Sequence, residues 1–201
     1  MPKKLEISCV AYQRPKLLTC LLWSLASQTS SNFVVTVYHD GHNEEIENIV
    51  KSFKSNNPDI DITYYSSSER FNDYGHTLRE MALHRSSADY LLLTNDDNYY
   101  VPIFVEEILR EIDNENPDIV YFDMVHSHIM GDLPNPIGYQ TLITEPRLNR
   151  IDIGSFVFRT ELGKVAGFTD REFNADGRFF ERMLEFSPKL KKIEKVLFVH
   201  N

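Results

Sequence analysis

Within its first 98 residues the chain sets four short apolar, β-prone runs apart by three segments of helical periodicity. Leu5–Ala11, Phe33–His39, Ile60–Tyr65 and Tyr90–Leu93 read as strands. The first helix opens at Pro15 and carries Leu17, Leu18, Leu21, Leu22 and Leu25 to about Gln28. The second spans Glu44–Phe53 with Ile46, Ile49, Val50 and Phe53 on one face. The third runs through Leu78, Met81 and Ala82. Repeated strand–helix units build a mostly parallel sheet with helices on its faces. The fold class expected is therefore α/β, Rossmann-like.

In such a sheet, ligands bind beyond the C-terminal ends of the strands. Those ends are acidic here. Asp40-Gly41 closes the second strand, Asp73 follows the third, and Asn95-Asp96-Asp97-Asn98 follows the fourth. Each has an ordinary alternative: a turn for Asp40, a helix cap or turn for Asp73, a solvated loop tip for Asp96 and Asp97. Their joint placement on one sheet edge says more than any one of them. Adjacent carboxylates repel, and a divalent cation or the hydrogen bonds of a polyol offset that cost. A metal ion and a nucleotide ribose are the expected occupants.

After Asn98 the regularity fades. A helix from Pro102 to Glu115 and a strand Ile119–Met124 are expected. Val125–Arg150, with Pro134, Pro136 and Pro146, reads as a long loop, and segments of that length are usually functional. A strand Ile151–Arg159, a short helix from Thr160, a turn at Ala166–Phe168, a helix from Asp176 to Phe186 and a strand Val196–His200 complete the pattern. The organisation expected is one domain over residues 1–201, with a regular half, 1–98, and a smaller irregular half, 99–201. Asp176 reads equally as a helix N-cap or as a general base, and His200 as a surface or structural histidine or as a third ligand for Mn²⁺.

The net charge of −9 argues against a general nucleic-acid binder, which needs a basic face. No segment reaches the about 18 apolar residues of a membrane span, and the start MPKKLEIS has no apolar signal core, so a cytoplasmic protein is expected. Lys3 and Lys4 offer an anionic surface only two charges. Cys9 and Cys20 read as two buried thiols, and their spacing makes no zinc site. His39, His42, His76, His84, His126 and His128 form no metal-ligand pattern. GxGxxG after the first strand, GxxxxGK[ST] and GxSxG are all missing, which removes support for dinucleotide, P-loop and serine-hydrolase sites.

Together these residues resemble the family 2 glycosyltransferases of the GT-A fold, from about Ile7 to His200. VAYQRPKLLTCLLWSLASQ is similar to that family's opening strand, its Tyr-x-Arg-Pro and its leucine-rich helix, with Gln28-Thr29 at the end. Asp40-Gly41 resembles the family's Asp-Asp-Gly, with His39 in place of the first Asp. Asn72-Asp73-Tyr74-Gly75 resembles its Asn-x-Gly stretch, and Leu93–Asn98 its acidic DxD-type site, with Thr94 where an Asp is more common. Gly167-Phe168 is similar to its Gly-Gly-Phe, one glycine short.

The resemblance implies transfer of a sugar from a nucleotide-diphosphate donor, UDP-linked as the first choice, to a hydroxyl of a sugar, lipid-linked or other acceptor. It implies inversion, in polysaccharide or glycoconjugate synthesis, with Mn²⁺ or Mg²⁺. It implies roles as well. Ala11, Tyr12 and Arg14 would flank the nucleotide. Asp40 would accept from the uracil N3–H, and Asp73 would lie near the base or ribose. Asp96 would bind the ribose hydroxyls. Asp97 and His200 would ligate the metal, and Asp176 would deprotonate the acceptor. The Val125–Arg150 segment would be a lid or acceptor loop, with Tyr139 and Phe156 as rings able to stack on a sugar. Two other readings stay open: a nucleotide-sugar-binding module without turnover, and a sugar nucleotidyltransferase. The second lacks its glycine-rich loop after the first strand.

Overall fold

A computed structural model of the chain describes residues 5–126 and 139–200. Lys3, Lys4, His128 and the middle of the Val125–Arg150 segment lie outside the described residues. The elements run β1 Leu5–Ala11, α1 Pro15–Ala26, β2 Phe33–His39, α2 Glu44–Asn56, β3 Asp61–Ser66, α3 His76–Arg85, β4 Tyr90–Asn95, β5 Tyr99–Tyr100, α4 Phe104–Glu115, β6 Ile119–His126, β7 Gln140–Leu142, β8 Phe156–Arg159, α5 Thr160–Ala166, α6 Ala175–Leu184 and β9 Leu190–His200. The strands form one sheet in the order β3-β2-β1-β4-β8-β6-β9-β5, with β7 beside β6. The long pairings, β1 with β2 and β4, β2 with β3, and β6 with β9, are parallel. The short ones made by β5, β7 and β8 are antiparallel.

β1 is buried along its whole length because helices cover both faces of the sheet. Alternation then sorts its side chains. Leu5, Ile7, Cys9 and Ala11 join the core under α1, α2 and α4. Val10 joins the core on the other face, with Leu78 and Leu83 of α3 and Phe179, Phe180 and Met183 of α6. Glu6 also lies in the buried sheet, where it accepts from the hydroxyls of Ser8 (3.1 Å), Thr36 (2.7 Å) and Ser86 (2.7 Å). Three donors take the place of water around that carboxylate.

Several expected elements change. The strand expected over Ile151–Arg159 begins only at Phe156, because Asp152 and Ser155 bond the local backbone in a capping box around a 3₁₀ turn, Ile153–Ser155. The last strand starts at Leu190, not Val196. Its lysines hid it, and they reach acidic partners beside the strand: Lys195 to Glu107 (2.8 Å) and Lys192 to Asp123 (3.1 Å). The Val125–Arg150 segment is not all loop: β6 extends to His126, and Gln140–Leu142 adds a strand. Cys20 is exposed on the outer side of α1, so only Cys9 is a buried thiol; both are free.

β1 pairs with β2 on one side and β4 on the other, so the direction of winding reverses there. A crevice forms at such a reversal, beyond the strand C-termini. The loops after β1, β2, β3 and β4 open onto it.

Candidate active site

The loop after β4 meets the loop after β1. The Tyr12 amide donates to Asp96 Oδ2 (3.1 Å), and the Asp96 amide to the Val10 carbonyl (3.1 Å). The Arg14 guanidinium pairs with both Asp96 and Asp97. One cation thus sits across the two carboxylates, as their mutual repulsion requires. Asp96 is fully buried, and burial pushes its carboxyl up to about 6. Arg14 and the Tyr12 amide oppose that rise, while Asp97 adds to it. Thr94, standing where the acid is more usual, is buried below: its hydroxyl accepts from Tyr100 (2.8 Å) and from the Asn98 amide nitrogen (2.9 Å).

Ala11 ends β1, and its carbonyl accepts from the Asp40 amide (3.3 Å). Asp40 does structural work in addition to any role at a ligand. Its carboxylate takes the amides of Phe71 (2.7 Å) and Asn72 (3.0 Å), which fastens the loop after β3. A carboxylate has about four acceptor positions, so capacity remains. His39 is neutral: the Gln13 amide donates to Nε2 (3.3 Å), so Nδ1 carries the proton given to the Gly41 carbonyl (2.7 Å). Burial lowers its pKa. The Tyr12 ring is stacked on His39 at 5.8 Å, and the Arg70 guanidinium lies 4.2 Å from its centroid. The Tyr12 ring is therefore held between two neighbours.

Asp73 accepts from the amide (2.9 Å) and hydroxyl (2.6 Å) of Thr77 and sits 3.6 Å from Arg171. Burial opposes the shift, but the Thr77 bonds and the nearby cations leave its pKa lowered. Asp73 thus has a local bonding role at the start of α3.

Arg79 was not singled out by the sequence, where it is one charge on a helix. It is 4% exposed. It donates to the Tyr74 carbonyl (2.9 Å) and to Asn95 Oδ1 (2.5 Å), and lies over the Phe168 ring at 5.8 Å. It therefore joins the loop after β3 to the loop after β4. Its charge also acts on Asp176.

Asp176 lies in the first turn of α6, two residues past the N-cap position of Asn174. Burial pushes its carboxyl up to about 6. Arg79, His200 and the Ile153 amide oppose the rise, and the neighbouring charge of Asp152 supports it. His200 Nε2 is 3.8 Å from Asp152 Oδ2, and its ring stacks on His126 at 4.7 Å. Asp152, which also caps the 3₁₀ turn, and His126 are site neighbours that sequence reasoning missed. Neither spacing nor periodicity links them to Asp176; only the sheet order does, by laying β6 and β9 side by side. Asp97 is thus held by Arg14, and His200 by Asp152. Among the described residues no three His, Cys, Asp or Glu side chains are grouped as a metal site.

The doubly covered sheet, the winding reversal beside β1 and the acidic crevice at the strand ends match the GT-A glycosyltransferase architecture. The sequence agrees: the glycosyl transferase family 2 pattern matches residues 7–169, and the chain belongs to that family. Solved structures share the fold. S. aureus TarS 1–349 in complex with UDP superposes with a TM-score of 0.77 at 19% identity, over 98% of this chain and 60% of that one. The same protein in complex with UDP-GlcNAc gives 0.76 at 17%, over 98% and 58%. The mannosyltransferase PcManGT from Pyrobaculum calidifontis, in complex with GDP-Man and Mn²⁺, gives 0.72 at 14%, over 99% and 57%. At these identities the likeness is one of fold. The chain spans less than two thirds of the length of these proteins. No helix among the described residues is long and apolar enough to cross a membrane.

Proposed function

We propose that the chain transfers a sugar from a nucleotide-diphosphate donor, UDP-linked as the first choice, to an acceptor hydroxyl with inversion at the anomeric carbon. One observation carries this reading: the Asp96-Asp97 pair meets the Tyr12–Arg14 loop at the winding reversal, and Arg79, bonded to Asn95 beside that pair, acts through its charge on Asp176. Tyr12 and Asp40 bound the base side, and Asp96 faces the ribose. Asp73 braces the loop between them. The half before Asn98 then serves the donor and the half after it the acceptor.

Asp176 is the general base. Its carboxylate takes the proton from the acceptor hydroxyl as that oxygen bonds to the anomeric carbon. The bond from that carbon to the diphosphate oxygen breaks, and its electron pair leaves with the nucleoside diphosphate. A pKa near 6 leaves the carboxylate ionised at neutral pH yet more basic than an ordinary aspartate. A divalent cation at the pair would take the place of the Arg14 guanidinium, the positive group that Asp96 and Asp97 now share. Asp97 and His200 would hold Mn²⁺ or Mg²⁺. Such an ion supplies positive charge against the leaving diphosphate.

The test is the Asp176→Asn variant with UDP-sugar donors. Transfer should fall by at least about 100-fold while nucleotide binding persists. Full transfer by this variant would remove Asp176 from the chemistry.

A further inference from the structure

Two aromatic rings, in the segments that lead into α3 and α6, stand free of any core. Tyr74 is 88% exposed and Phe173 is fully exposed. An exposed aromatic ring forgoes the burial that usually stabilises it, and exposed apolar groups beside a crevice mark binding. The segments that carry these rings are, by contrast, firmly held. Tyr74 has a left-handed backbone, φ 57°, a conformation that bulky residues seldom adopt. Asp73 and Arg79 fix it, through Thr77 on one side and the Tyr74 carbonyl on the other. The Phe173 segment is fixed through Arg171, which donates to the Phe168 carbonyl (2.7 Å) and pairs with Asp73 and Glu80.

The two rings approach the same place. His76 lies 6.3 Å from the Tyr74 ring, centroid to centroid, and Arg171, two residues before Phe173, sits 3.6 Å from Asp73, next to Tyr74. Phe173 is three residues before Asp176, and Tyr74 is bound through Arg79 to Asn95, beside Asp96. Each ring's segment is thus tied to the proposed site, Phe173 along the chain to Asp176 and Tyr74 through Arg79 to Asn95.

We propose that Tyr74 and Phe173 form the stacking platform for the acceptor, and that the acceptor is a saccharide. This rests on the reading of Asp176 as the base. A sugar ring has apolar C–H faces and a polar rim, so it needs an aromatic face set among hydrogen-bonding groups. That is the setting here: Asp73 and Glu172 are the chain neighbours of the two rings, and Arg171 pairs with Asp73 and Glu80. A lipid chain needs a continuous apolar patch, and charged side chains interrupt this one. Rigid rings with few torsions also order at small entropic cost.

The experiment is saturation-transfer NMR on the chain in the presence of UDP and Mn²⁺. The probes are cellobiose, maltotriose, lactose and N,N′-diacetylchitobiose, with phosphatidylglycerol vesicles as a separate arm. UDP binding is measured in parallel by calorimetry. At least one saccharide should bind. Tyr74→Ala and Phe173→Ala should weaken it by at least tenfold each, and Phe173→Trp should retain it. Both rings are in solvent, so unchanged circular dichroism melting checks the fold of each variant.

If UDP binds and no saccharide does, the proposal fails. Equal saccharide affinity in the double alanine variant also overturns it, as does vesicle binding that the two alanine variants abolish. Absence of UDP binding by the wild type overturns instead the reading of the site itself, and the acceptor role with it.

Discussion

Asp96→Asn should make the protein more stable at neutral pH. Asp96 is fully buried, and its carboxyl is pushed to about 6 against an ordinary 3.8. That gap corresponds to about 3 kcal/mol spent on keeping the carboxylate ionised inside the fold. The sign follows from proton binding. The folded chain holds the Asp96 proton more tightly than the unfolded chain, so the penalty is complete above about pH 6 and disappears below about pH 4. Asparagine removes the charge and keeps an oxygen for the Tyr12 amide. It gives up the contact to Arg14, which is 43% exposed and retains Asp97. The net expectation is a gain of about 1–3 kcal/mol at pH 8. Urea unfolding of both proteins, followed by circular dichroism at pH 8, 6 and 4.5, measures it. The difference between the two curves isolates position 96 from all other titrating groups. A variant less stable than wild type at pH 8, or a gap that does not shrink with acid, would refute the electrostatic reasoning. The expected gain would also mean that the native aspartate is kept for function and not for the fold.

Gly75→Ala meets two obstacles: φ is +82°, and the added methyl carbon would lie 2.4 Å from Val10 Cγ1. A loss of about 2–4 kcal/mol, or roughly 4–16 °C in Tm, is expected in a thermal melt. Glu6→Leu strips three hydroxyls, two of them buried, of their acceptor and should cost about 2–4 kcal/mol in urea, with Glu6→Gln costing clearly less. Transfer should decline about tenfold per pH unit below about pH 6, as Asp176 takes up its proton, in a rate profile at saturating donor.

The first half of the fold was legible because its strands are apolar runs with both faces covered, so local sequence and tertiary burial agree. β4, YLLLTN, is the clearest case. Legibility failed where partners lie far away in sequence. Residues Leu190–Lys195 look like a charged surface segment until α4 supplies Glu107, Glu111 and Glu115 beside them. Tyr99–Tyr100 is too short to register as a strand without β9. At the site, the acids were visible because they stand at strand ends. Their partners were not. Nothing local distinguishes Arg79 from a solvated helix charge, or Asp152 from a turn residue. The amides that Asp40 holds are about thirty positions downstream, so only the sheet order brings them to it. Cys20 was misjudged because alternating leucines make all of α1 look buried, whereas the helix covers the sheet with one side only.

The central claim is that the acid pair after β4 is a donor site. Calorimetric titration of the chain with UDP, with and without Mn²⁺, and again with Asp97→Ala, tests it most directly. The account predicts binding by the wild type that strengthens with the metal and is lost in the variant. UDP binding of equal strength in Asp97→Ala, or none by a folded wild type with Mn²⁺ present, would contradict it.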